Sequence, residues 1–173
     1  MATNSTTQPH RRAKRPVTVA AGPYGHPVHP LLVTVPIGAW VASLVFDLAS
    51  RWAGEPEVFV KASFWLIGVG IVGALVAALF GVLDLLAIPR GTKPFVTGLV
   101  HMALNLTVVA LYVVNFVVRR GQLEQAPVAG GPLVLSIVAL ALLVVSGLLG
   151  GTLTYRYGVR VADEWYQAEG FSR

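Results

Sequence analysis

The sequence contains no cysteine. Disulfides, thiolate metal sites, iron–sulfur clusters and covalently attached c-type haem are therefore excluded, because each requires a thiol. Any redox centre would have to be held by histidine, methionine or oxygen ligands without a covalent tether. Charge is scarce as well: only 12% of the 173 residues are Asp, Glu, Lys or Arg, against roughly 25% in an ordinary soluble domain. The polar residues needed to cover a water-soluble body are missing. So is the alternation of polar and apolar residues that the strands of a membrane β-barrel carry. No nucleophile stands beside a base in a hydrolase-like motif, and catalysis is not expected.

What is present is apolar and clustered. Hydrophobic residues make up 55% of the chain, and they form four runs at about 31–49, 63–88, 95–118 and 132–155. A run of about 18 or more apolar residues crosses ~30 Å of hydrocarbon as a helix. Inside lipid each backbone amide must bond within its own segment, so the expected fold is all-α: an integral membrane four-helix bundle spanning residues 26–160.

Residues 1–25 are rich in Thr, Ser, Pro, Arg and Lys and lack an apolar stretch of signal-peptide length. They are expected to form a disordered basic tail, with a short second tail at 161–173. The cluster Arg11, Arg12, Lys14 and Arg15 could attract nucleic acid or anionic lipid, but a topology signal explains it more simply. With the N-terminus inside, the inner segments hold nine Lys or Arg: the four in the tail, Arg90, Lys93, Arg156, Arg160 and Arg173. The outer loops hold four: Arg51, Lys61, Arg119 and Arg120. Both termini are therefore expected in the cytoplasm, and the pI near 10 needs no nucleic acid to explain it.

Residues at i, i+3, i+4 and i+7 share a helix face. On the third span His101, Asn105, Val108, Tyr112 and Asn115 form a polar stripe that should point inward. On the first span His29, Val33, Pro36, Trp40, Ser43 and Asp47 form another. Pro36 should kink that helix, His29 before Pro30 should act as a cap, and Asp47 should pair locally with Arg51. An extended HPVHP stretch would hold His26 and His29 about 9 Å apart. The second span has a small-residue face ending in Asp84, whose competing roles are a functional carboxylate and a pair with Arg90. The fourth carries Ser146, Gly147, Gly150 and Gly151, then Tyr155, expected in the polar interior with Asn105, Tyr112 and Asn115, and Tyr157. By this topology His26, His29, Asp84, His101, Tyr155 and Tyr157 share the cytoplasmic end, a candidate site drawn from all four spans.

The runs HPVHPLLVTVPIGAWVASLVFDL, GLVHMALN and GGTLTYRYGVRV resemble the bacterial membrane-protein family called domain of unknown function 2231, over about residues 25–161. The resemblance implies four spans and a bacterial plasma membrane. It also hints at a redox setting, because some relatives carry a Rieske or cytochrome c domain. It places His26, His29, Asp84, His101 and Asn105 on family motif positions. Thr34 and Tyr157 depart from the pattern, standing where many relatives have histidine.

Three readings compete. A non-covalent b-type haem could use His101 with His29 or His26 as axial ligands and serve electron transfer to a redox or membrane-complex partner. A metal, proton or small-solute site could use His26, His29, Asp84 and His101; four spans alone make a thin pathway, so this reading calls for a homo-oligomer. A structural or accessory subunit without cofactor, its polar groups joining helices in the bilayer, weighs at least as much as haem.

Overall fold

The computed structural model describes residues 8–171. A short helix α1 (Gln8–Lys14) and two 3-10 turns (Val19–Ala21, Pro23–Gly25) precede the bundle. The segment expected to be without structure is thus ordered from residue 8 onward, because Ala13 is buried against Ile88 and Val159; residues 1–7 of that tail lie outside the described residues.

Four helices are long and apolar enough to cross a membrane: Val28–Ala49, Pro56–Ala87, Lys93–Arg120 and Gly130–Arg156. No strand occurs among the described residues. The first span is broken. Pro36 cannot donate to the carbonyl four residues back and its ring crowds that turn, so the span divides at Val33 into α2 (Val28–Leu32) and α3 (Thr34–Ala49). The Thr34 hydroxyl donates to the Leu31 carbonyl at the break, 2.7 Å away. His29 is not a cap: Pro27 occupies that position and His29 lies in the first turn of α2.

The second span is α4 (Pro56–Ala87), with Pro56 in its first turn, where a missing amide costs nothing. The third is α5 (Lys93–Arg120), capped by Thr92, whose hydroxyl accepts from the Phe95 amide. The fourth is α6 (Gly130–Gly151), continued by a π-helical turn, Thr152–Arg156. A final short helix, α7 (Glu164–Gly170), follows.

The first two spans pack as one hairpin and the last two as another, and the hairpins meet through α4 with α5 and α3 with α6. Both ends of the described chain therefore lie at one end of the bundle, here the terminus side. The exposed surface of the spans is mostly Val and Leu, as at Val72, Leu79 and Leu148. Lipid is as apolar as these side chains, so packing and interior polar bonds must hold the helices together.

The interior of one hairpin repeats in the other. Val28, His29, Leu32, Trp40, Ser43 and Asp47 stand 72 positions before Val100, His101, Leu104, Tyr112, Asn115 and Arg119. Two of these related pairs touch, as residues beside a two-fold axis do. The rings of Trp40 and Tyr112 stack with centroids 4.2 Å apart and planes 10° from parallel, and Asp47 pairs with Arg119. The stack fills the centre with Ile67, Val108 and Ala139. A Cβ at Gly70 would collide with the Trp40 indole, so only glycine lets α4 approach there.

Candidate functional site

Two polar layers lie in this apolar bundle, one on each side of the Trp40–Tyr112 stack. The terminus-side layer is built from two copies of one unit. In the first hairpin His29 Nδ1 is 2.9 Å from the Ala77 carbonyl, and its imidazole lies against Gly81, where a Cβ would stand 3.0 Å from Cε1. In the second, His101 Nδ1 is 2.8 Å from the Ser146 carbonyl, and its ring lies against Gly150, where a Cβ would stand 3.1 Å from Cε1. Each glycine follows the accepting residue by one helical turn.

A carbonyl can only accept, so both Nδ1 atoms carry the proton and both Nε2 atoms present their lone pair. This bond fixes tautomer and ring orientation, as it does for histidines that ligate metals. His29 Nε2 has no partner among the described residues. His101 Nε2 is 3.1 Å from the Asn105 amide nitrogen. That nitrogen has closer acceptors in Ser146 Oγ at 2.8 Å and the His101 carbonyl at 2.9 Å. An amide has two N–H donors, so the two shorter bonds use both and the contact to Nε2 is dispensable. The two histidines lie within electrostatic reach of each other.

The other expected members of this layer divide. Asp84 pairs with neither Arg90 nor a histidine. Its Oδ1 is 2.9 Å from Arg160 Nε, without the alignment of a hydrogen bond. His26 is exposed and only its backbone is engaged, to the Pro23 carbonyl. Tyr155, expected in the interior, is 92% exposed, because the π-helical turn rotates it outward. Tyr157 packs against the Ala13, Ile88 and Val159 cluster. Thr34 is exposed. Among the described residues no three His, Asp or Glu side chains gather within reach of one ion, so His26, His29, Asp84 and His101 do not assemble as a metal set.

Two imidazoles from different spans, each oriented through Nδ1 and each with Nε2 available, are what axial ligation of a b-type haem uses. Each glycine lets the neighbouring helix pack directly on the imidazole, where a Cβ would crowd the ring.

The opposite layer is not apparent in the sequence reading. Asp47, expected to pair with Arg51, instead meets Arg119 in a two-pronged pair, with Nη1 to Oδ1 at 2.7 Å and Nη2 on Oδ2. Arg51 turns away to the Val128 carbonyl. Ser63 donates to Asp47 Oδ1, Arg119 Nε donates to Asn115 Oδ1 at 2.8 Å, and the Asn115 amide bonds Ser136 Oγ and the Pro132 carbonyl. All four spans contribute, and all five side chains are buried. Arg119 is thus no loop cation. The available signals were an Asp and an Arg within apolar runs and their 72-residue relation. Tyr112 is fully buried and its hydroxyl has no partner; Asn105 and Asn115 both bond across to the fourth span.

No curated protein and no solved structure matches the chain. The family described as "Predicted membrane protein (DUF2231)" matches residues 25–163, a stretch that takes in all four spans and both polar layers. With four-fifths of its length so matched, this multi-pass membrane chain belongs to the DUF2231 family.

Proposed function

We propose that the bundle is a membrane electron-transfer protein that holds a non-covalent b-type haem with His29 and His101 as axial ligands. The observation that carries this reading is the duplicated unit: imidazole Nδ1–H on a carbonyl of the adjacent helix, ring against a glycine, Nε2 presented. Bound there, haem would supply one-electron exchange. The protein's part is to orient the two imidazoles through their bonds to the Ala77 and Ser146 carbonyls and to surround the layer with apolar spans. Asn105 steadies His101 from the next turn.

The proposed setting is a bacterial plasma membrane with both termini in the cytoplasm and a redox partner beside it. With Arg119 withdrawn from the outer loops, the basic count favours that orientation by nine to three. The structural reading is favoured by one observation, that the same Nδ1 bonds join helices by themselves.

An absorption spectrum of the purified protein, from cells supplied with haem precursor, separates the two. Haem binding gives a Soret band that sharpens on dithionite reduction, and His29→Ala or His101→Ala removes it while the protein stays folded. A folded, colourless wild type whose histidine variants lose stability alone sinks the haem reading.

A further inference from the structure

Helix α1 is docked by one small residue. Ala13, 5% exposed, packs against Ile88 just beyond the second span and against Val159. That contact brings Arg12 and Arg15 beside Ala87 at the end of α4. Between them lies an open cavity of about 180 Å³, lined by Arg12, Arg15, Pro16, Val17 and Ala87. Its floor is apolar and its rim is cationic.

Little of that charge is neutralised by the protein. Arg12 has no ion-pair partner among the described residues, and Arg15 reaches Asp163 only at 3.9 Å. The neighbouring carboxylate, Glu164, is taken by Lys14 at 2.8 Å. Ala87 is the last residue of a spanning helix, so the cavity stands at headgroup depth. On the lipid face of the same helix, Leu79, Val82 and Leu86 form an exposed row at i, i+3 and i+7.

We propose that this cavity binds an anionic phospholipid, its phosphate between Arg12 and Arg15 and an acyl chain along that row. A phosphate accepts from guanidinium groups in two-pronged fashion, and basic side chains at an anionic surface each add about 1 kcal/mol of attraction. The apolar floor, at the end of a spanning helix whose lipid face is apolar, favours a lipid over a free anion.

Native mass spectrometry of the full chain in mild detergent tests this, with phosphatidylglycerol and phosphatidylcholine offered in equal amounts. Phosphatidylglycerol should be retained selectively. The double variant Arg12→Ala, Arg15→Ala should weaken its retention about 30-fold, the Boltzmann factor of two such charges, and Arg12→Glu should repel it. Arg120→Ala, which removes one charge at the other end, should change nothing. Equal retention of the two lipids, or no effect of the arginine variants in protein whose melting is unchanged, overturns the proposal. Displacement by millimolar inorganic phosphate also overturns it, because the occupant would then be a free anion.

Discussion

In place of water, the carboxylate of Asp47 has one guanidinium and two hydroxyls. Buried pairs of this kind add little net stability over an apolar core, but removing one partner strands the other. Arg119→Met should therefore cost about 3–5 kcal/mol, read by unfolding in mixed micelles of increasing denaturing detergent. Asp47→Leu combined with Arg119→Met should cost less than either single change. A double variant as unstable as Arg119→Met would mean that the pair's own attraction dominates.

Arg160 presents a different problem. Its backbone is left-handed, with φ of 59°, which costs a side-chain-bearing residue roughly 1–2 kcal/mol. It is held there by its amide on the Ala13 carbonyl at 3.0 Å, its guanidinium on the Ala21 carbonyl at 3.1 Å, and Asp84. Arg160→Ala loses the side-chain contacts and keeps the strain, whereas Arg160→Gly loses both. Glycine should thus be the milder substitution by about 1 kcal/mol in thermal unfolding, the reverse of the usual ranking within a helix.

At the scale of elements, four helices and the kink at Pro36 were legible, because lipid leaves the backbone few options and proline removes one more. Helix ends were less so. The second span begins at Pro56 rather than near 63: its first turns carry Glu57 and Lys61, and an apolar run shows only the part that lipid selects. The contact between α1 and the C-terminal segment was not legible at all, since it rests on one alanine and a few ion pairs. Lys14 to Glu164 is among them, and the ammonium holds the Glu164 carboxyl below its ordinary value of 4.5. A depressed carboxyl contributes stability above its unfolded pKa, and that contribution is lost as pH falls through the folded value. The protection of α7 amides against hydrogen exchange, relative to the intrinsic rate at each pH, should therefore fall below about pH 4.5. In Glu164→Gln that protection should be lower already at pH 7 and lack this acid step.

The whole molecule turns on the repeat. The polar stripes of the first and third spans were readable one at a time, from helical spacing. Their relation was not, because Trp40 with Tyr112 and Asp47 with Arg119 are matched in place and not in chemistry. Complementary residues at equivalent positions let the hairpins pair with each other, whereas two copies of one hairpin would oppose like charges. The exchange Asp47→Arg with Arg119→Asp should consequently recover more than half of the stability lost in Asp47→Arg alone, again read by detergent unfolding. No recovery would show that the surrounding Ser63, Asn115 and Ser136 fix which helix carries which charge.

Each repeating unit crosses the bilayer twice. A unit that leaves on the side it entered must be followed by a copy inserted the same way up, so the two-fold axis stands along the membrane normal. Inverted repeats, whose axis lies in the membrane plane, can trade conformations and thereby open a central site first to one compartment and then to the other. Here that exchange of roles returns each layer to its own side. The histidine layer and the Asp47–Arg119 layer therefore keep to opposite sides of the Trp40–Tyr112 stack, whichever hairpin supplies each residue.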